Sequence, residues 1–209
     1  ENLYPALGFE KWYDEEYFGE DEIIGIGLSD KIFFQKSHDI LRKLHNSGQL
    51  FYAQLVTLTS HHPFTLPDED NTLQLPQRFD ESIVGYYLNV AHYVDKQLKA
   101  FFDQLKADSL LENSVVVLYG DHQGLQENTL SLADKALLNR SIGHEYNFID
   151  QYNIPLLIHA DGENLTGHYD AVGGQIDILP TVANLIGLSL DNFIYMGQDL
   201  LNSENNLFG

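Results

Sequence analysis

Apolar residues in this chain fall into two rhythms. Over some stretches they return every three or four positions, which marks one face of a helix, and over others they run almost unbroken, which marks a covered strand. Ser29 stands where a helix cap is expected. Behind it Phe33, Ser37, Ile40, Leu41 and Leu44 line one face of a helix that starts at Asp30 and stops at Asn46-Ser47-Gly48. A second, longer helix is predicted over residues 80–106, where Ile83, Tyr87, Val90, Val94, Leu98, Phe101 and Leu105 mark the face that covers a sheet. A third begins behind Asp177, holds Pro180 in its first turn, and ends at Gly187.

The unbroken runs are residues 50–59 (LFYAQLVTLT), 114–119 (SVVVLY) and 153–159 (NIPLLIH). The first two read as strands covered on both faces, and the third as a strand that Pro155 restricts to a sheet edge or a strand start. Strands alternating with helices predict an α/β fold with a mainly parallel sheet flanked by helices, in a single domain spanning residues 1–209. Residues 1–28 mix aromatics with acids and follow neither period, so an irregular, partly packed segment is expected there. The stretch from Gly120 to about Tyr146 reads as polar and irregular, and the tail from Asp199 as frayed.

Composition narrows the chemistry. Thirty-one acidic residues against eleven basic ones give a formal charge of −20 over 209 residues, which repels phosphate backbones and excludes non-specific nucleic-acid binding. With no cysteine, there are no disulfides, thiolate metal sites or cysteine nucleophiles, so a metal would have to sit on His, Asp, Glu or hydroxyl oxygens. No stretch reaches the roughly 20 apolar residues of a membrane span. The chain opens on Glu1 rather than Met, as a piece of a longer protein would.

Ligands of open α/β sheets gather beyond strand ends, so the residues that follow the apolar runs are the first candidates. The run 114–119 leads into Gly120-Asp121-His122-Gln123-Gly124, which sets a carboxylate beside an imidazole, half of a site for a divalent metal. A strand-end turn with Asp121 capping backbone N–H groups and His122 exposed fits the same spacing. The run 50–59 leads into Ser60-His61-His62-Pro63-Phe64, where a histidine would contact a phosphoryl or leaving-group oxygen or shuttle a proton. A solvated loop is the competing reading. His144, His159 and His168 have no local ligand spacing and read as structural or solvent-facing, with His168 the best outside candidate. The serine-hydrolase elbow, the Walker A loop, G-x-G-x-x-G and H-E-x-x-H are absent.

Taken in order, Tyr4-Pro5-Ala6-Leu7-Gly8-Phe9, the S-H-H-P-F stretch 60–64, Tyr93-Val94-Asp95, the Gly120-Asp121-His122 strand end, Gly173-Gly174-Gln175-Ile176-Asp177 and Gly197-Gln198-Asp199 form one pattern. It resembles the carboxyl-terminal part of the extracellular catalytic domain of lipoteichoic acid synthases, phosphoglycerol transferases of the sulfatase and alkaline phosphatase superfamily. The resemblance implies that Asp121 and His122 bind a divalent metal, most often Mn2+ with Zn2+ or Mg2+ as alternatives, and that His61 contacts substrate. It implies further that a glutamate ligand and a nucleophilic threonine lie upstream of Glu1, in the other half of the same domain. No catalytic nucleophile is then expected among these residues, and Thr57 and Thr59 are not assigned that role.

The implied reaction moves glycerol phosphate from phosphatidylglycerol to a growing polyglycerol-phosphate chain. Its implied place is the outer face of a Gram-positive membrane, held by transmembrane segments outside this chain. The fold and the Asp-His pair are equally those of a sulfatase or another phospho-transferring relative, and a non-catalytic, surface-presenting module is the third reading.

Overall fold

The computed structural model describes residues 3–162 and 166–203. Its elements run α1 (Leu3–Ala6), α2 (Glu15–Phe18), β1 (Ile23–Ile24), β2 (Gly27–Leu28), α3 (Asp30–Asn46), α4 (Ile83–Ala107), β3 (Val115–Tyr119), α5 (Leu132–Ile142), β4 (Leu156–Ala160) and α6 (Ile178–Leu185). The chain divides into two compact units. One comprises residues 1–112 and 124–152, the other residues 113–123 and 153–209.

The first unit is helical. Ser29 caps α3 as its position predicts, its hydroxyl accepting from Ile32 N, and Ser82 caps α4 by accepting from Gly85 N. α4 packs against α3 and α5, not against a sheet as its apolar face suggested. Of its buried positions, which include Val90 and Tyr93, Val84, Phe101 and Leu105 belong to two clusters. In one, Phe34 stacks on Phe101 with ring centroids 4.7 Å apart, beside Leu105 and Leu110. In the other, Phe79 and Val84 meet Leu125 and Leu130. A helix with apolar residues on more than one side can fill a helical core as readily as it can cover strands.

α5 occupies the stretch read as irregular. Ser131 accepts from Asp134 N, and Gly143, in the left-handed conformation, ends the helix. Residues 50–59 form no strand, and Leu50, Tyr52 and Val56 are exposed. An apolar β-branched run specifies a strand only where a neighbouring strand offers it hydrogen bonds. Among the described residues none does.

The second unit holds β3 and β4, which pair antiparallel from Val115 opposite Ala160 to Tyr119 opposite Leu156. The mainly parallel arrangement predicted for the sheet does not extend to this pair. Hydrophobic runs report coverage, not the direction of the neighbour, and antiparallel partners need no crossover of fixed hand. Nor is β3 fully buried: Val115 to Leu118 are half-covered, because β4 is the strand that flanks them.

α6 stands where predicted, but Asp177 does not cap it. Its side chain instead accepts from Gly174 N at 2.7 Å and from Gln198 N at 2.7 Å. The second of these bonds reaches Gln198, one residue before the tail read as frayed. From Asp199 that tail is tied down, with Asn184 Nδ2 and Leu201 N donating to the Asp199 carboxylate. Residues 204–209 lie outside the described part.

Candidate functional site

β3 ends at Tyr119, and two residues later the chain presents Asp121 and His122 side by side. The turn between is close-packed: Gly120 N donates to Pro155 O at 3.2 Å, and a Cβ on Gly120 would lie 2.9 Å from the Ile154 Cβ. A larger residue would push the strand end away from β4. Asp121 Oδ1 lies 3.5 Å from His122 Nε2, and both side chains are more than half exposed.

The imidazole is oriented by its other nitrogen. His122 Nδ1 lies 2.8 Å from Gln123 O. A carbonyl only accepts, so Nδ1 carries a proton and Nε2 is the ring nitrogen on the side of Asp121.

This pair fits a divalent ion as two of its ligands. Donor atoms about 2.0–2.2 Å from a tetrahedral ion lie roughly 3.3–3.6 Å from one another, and the observed oxygen-to-nitrogen distance falls in that span. A hard carboxylate oxygen with one imidazole nitrogen suits Mn2+ or Zn2+. No group of three or more His, Asp or Glu residues that would hold a metal occurs among the described residues, so the remaining ligands would have to come from elsewhere.

His61 belongs to the helical unit. Its Nδ1 lies 2.9 Å from His62 O, so by the same argument Nδ1 carries a proton. His62 is engaged differently, edge-on to the Phe64 ring at 5.6 Å, while Phe64 stands edge-on to Tyr87 at 5.2 Å. The two histidines thus differ in environment.

Of the three outside candidates, His144 and His168 each pair with an aspartate. His144 Nε2 pairs with Asp150 Oδ1 at 2.8 Å, and that contact holds the Asp150 carboxyl below the usual range. His159 lies within β4 opposite Val116, and His168 pairs with Asp170 at 3.3 Å in an exposed stretch.

One contact to the site was not anticipated from the sequence. Gln175 Nε2 donates to Gly120 O at 2.8 Å and to Asp121 O at 2.7 Å. The Gly-Gly-Gln-Ile-Asp motif marked a turn before α6, but nothing in its spacing pointed 54 residues back.

A family model described as Sulfatase matches residues 1–188. The chain is 35% identical over 208 residues to the lipoteichoic acid synthase of Staphylococcus saprophyticus, covering 99% of this chain and 31% of that protein. It is 34% identical over 207 residues to lipoteichoic acid synthase 1 of Bacillus subtilis, again covering 31% of the relative. It thus spans about a third of the length of the curated relatives it matches.

Among solved structures, the lipoteichoic acid synthase LtaP from Listeria monocytogenes superposes with a TM-score of 0.87 at 40% identity, covering 97% of this chain and 50% of that one. A protein of the alkaline phosphatase superfamily from Vibrio parahaemolyticus superposes with a TM-score of 0.67 at 20% identity, over 94% of this chain and 43% of that one, a likeness of fold alone.

Proposed function

From the chain's membership of the sulfatase family, with its sulfatase and alkaline-phosphatase-like α/β fold, we propose that it is part of a metal-dependent phosphoglycerol transferase of lipoteichoic acid synthesis. The observation that carries this reading is the convergence of Asp121 Oδ1 and His122 Nε2 at the end of β3, in a chain so similar to lipoteichoic acid synthases over nearly all its length.

In this reading Asp121 and His122 hold a divalent metal, Mn2+ first among the candidates. When bound, the metal would lower the pKa of a coordinated hydroxyl and offset charge on the transferring phosphoryl group. Asp121 supplies a negative oxygen, and His122 a neutral nitrogen whose tautomer the Gln123 carbonyl sets. His61, its Nδ1 proton committed to His62 O, presents Nε2 to the substrate; protonated there, it would donate to the departing glycerol alkoxide. A threonine nucleophile, the remaining ligands and the membrane anchor belong to the portion of the protein beyond these residues.

The donor is phosphatidylglycerol and the acceptor a growing polyglycerol-phosphate chain at the outer face of a Gram-positive membrane. Both substrates are anionic, as is this chain, so tethering at the membrane would supply the encounter that electrostatics opposes.

The test is transfer of labelled glycerol phosphate from phosphatidylglycerol vesicles by the intact protein with Mn2+, with an aryl sulfate offered in parallel. The reading expects transfer, no sulfate release, and at least a hundredfold loss in Asp121→Ala and His122→Ala. Sulfate release without transfer would replace it with the sulfatase reading.

A further inference from the structure

We infer that the turn formed by residues 173–177 is the scaffold that aims Asp121 and His122, with Gln175 as its positioning residue; this rests on the reading of those two side chains as metal ligands. Gln175 Nε2 meets the carbonyls of Gly120 and Asp121 at 2.8 and 2.7 Å. Both are pure acceptors, so only the amide nitrogen can face them, and its two hydrogens serve one carbonyl each. These carbonyls belong to the peptide units on either side of the Asp121 Cα. Holding both fixes the direction in which Asp121 leaves the backbone, and the second unit leads directly into His122.

Gln175 is in turn held from behind. Asp177 is 1% exposed, and its carboxylate binds Gly174 N and Gln198 N, which clamps the residue before Gln175 and ties the turn to the tail. Thr181 Oγ1 donates to Asp177 O at 2.6 Å and accepts from Leu200 N at 3.0 Å. A buried carboxylate with each oxygen engaged is a rigid support. The exposed Gln175 is the arm that this support extends to the strand end.

That arm has little to do with holding the unit together. Gln175 is exposed, and β3 is already paired to β4 along its whole length. A solvent-exposed hydrogen bond contributes little to global stability, whereas a group that orients a metal ligand typically changes metal affinity ten- to a hundredfold when lost. The two roles therefore separate in measurement.

The experiment is calorimetric titration of the intact protein with Mn2+, alongside its thermal unfolding midpoint, for the parent, Gln175→Met, Gln175→Leu and Asp121→Ala. Methionine keeps the length of the side chain without a donor. The expected result is a Mn2+ affinity at least about tenfold weaker in both Gln175 variants with an unchanged unfolding midpoint. Turnover should recover in them, but not in Asp121→Ala, as Mn2+ is raised.

Parent-like affinity in the Gln175 variants, with affinity lost in Asp121→Ala, would overturn the positioning role and leave the metal reading standing. Parent-like affinity in Asp121→Ala would overturn the metal reading itself. A midpoint that falls together with affinity in both Gln175 variants would assign the residue a structural role and overturn the inference.

Discussion

Asp30 and Thr59 exchange hydrogen bonds across 29 residues of chain: Thr59 Oγ1 accepts from Asp30 N at 2.9 Å, and Asp30 Oδ1 accepts from Thr59 N at 3.1 Å. The same carboxylate oxygen also accepts from Leu58 N at 3.0 Å. Both residues are buried, so the first turn of α3 is stapled to the backbone that leads directly into Ser60-His61.

Asp30→Ala should destabilise the protein by on the order of 2–3 kcal/mol, since it strands two backbone donors in a desolvated site. Asp30→Asn retains an acceptor oxygen and should recover most of that loss. Burial raises the Asp30 pKa above its ordinary 3.8. The folded state therefore binds the proton more tightly, and this residue's contribution to stability falls as pH rises from about 3.8 through the raised value. The difference between parent and Asp30→Asn unfolding curves should slope in that direction over that window. A flat difference, or one of opposite sign, would count against the account.

His61→Ala should depress glycerol phosphate transfer by the intact protein far more than His62→Ala. In the proposed reading the first contacts a substrate oxygen, whereas the second packs edge-on against Phe64. Steady-state kinetics on both variants decide the matter, and equal losses would remove the distinction.

Gly197 has φ +95°, and a Cβ there would collide with the Ile176 carbonyl and approach Asp177 Oδ1 within 2.8 Å. Gly197→Ala should therefore cost more than about 1 kcal/mol, the scale of an incompatible backbone conformation. By loosening the Asp177 clamp it should also weaken Mn2+ binding. Thermal unfolding and metal titration check the two effects separately, and an unperturbed midpoint would contradict the packing described.

Residues 1–209 alone should show no phosphodiester turnover and only weak Mn2+ binding. In the proposed reading Asp121 and His122 would provide two ligands, one short of the three protein groups of a well-held catalytic ion, with the nucleophile elsewhere. Micromolar affinity coupled to Asp121-dependent turnover of a soluble phosphodiester would move the missing groups into this chain.

What the sequence made legible was local. α3 and α6 could be read because an apolar pattern and a cap or stop residue agree at each, and α4 from its long period near 3.6 alone. α5 was equally signalled, by Ser131 with Asp134 and by Gly143, but its apolar positions do not gather on one face, so the reading by periodicity passed over it. The Asp-His pair stood out because both members adjoin a strand end. The partners that hold the site did not: Asp30 reaches Thr59, and Gln175 reaches Asp121, across distances that no spacing rule spans. Strand direction was equally invisible, since β3 and β4 would show the same apolar run in either orientation.

The apolar ribbon at residues 50–58 governs how such a chain behaves in a tube. Leu50, Phe51, Tyr52, Val56 and Leu58 are all exposed along a stretch without regular structure or proline, an apolar, β-prone segment that can associate between molecules. At neutral pH the charge of −20 keeps copies apart. Added salt screens that repulsion, and acidification toward the isoelectric point near 4.5 cancels it. Solubility should therefore fail first at this ribbon, in mildly acidic or high-salt buffer and well before the helices melt, and a lysine at position 56 should widen the range of usable conditions.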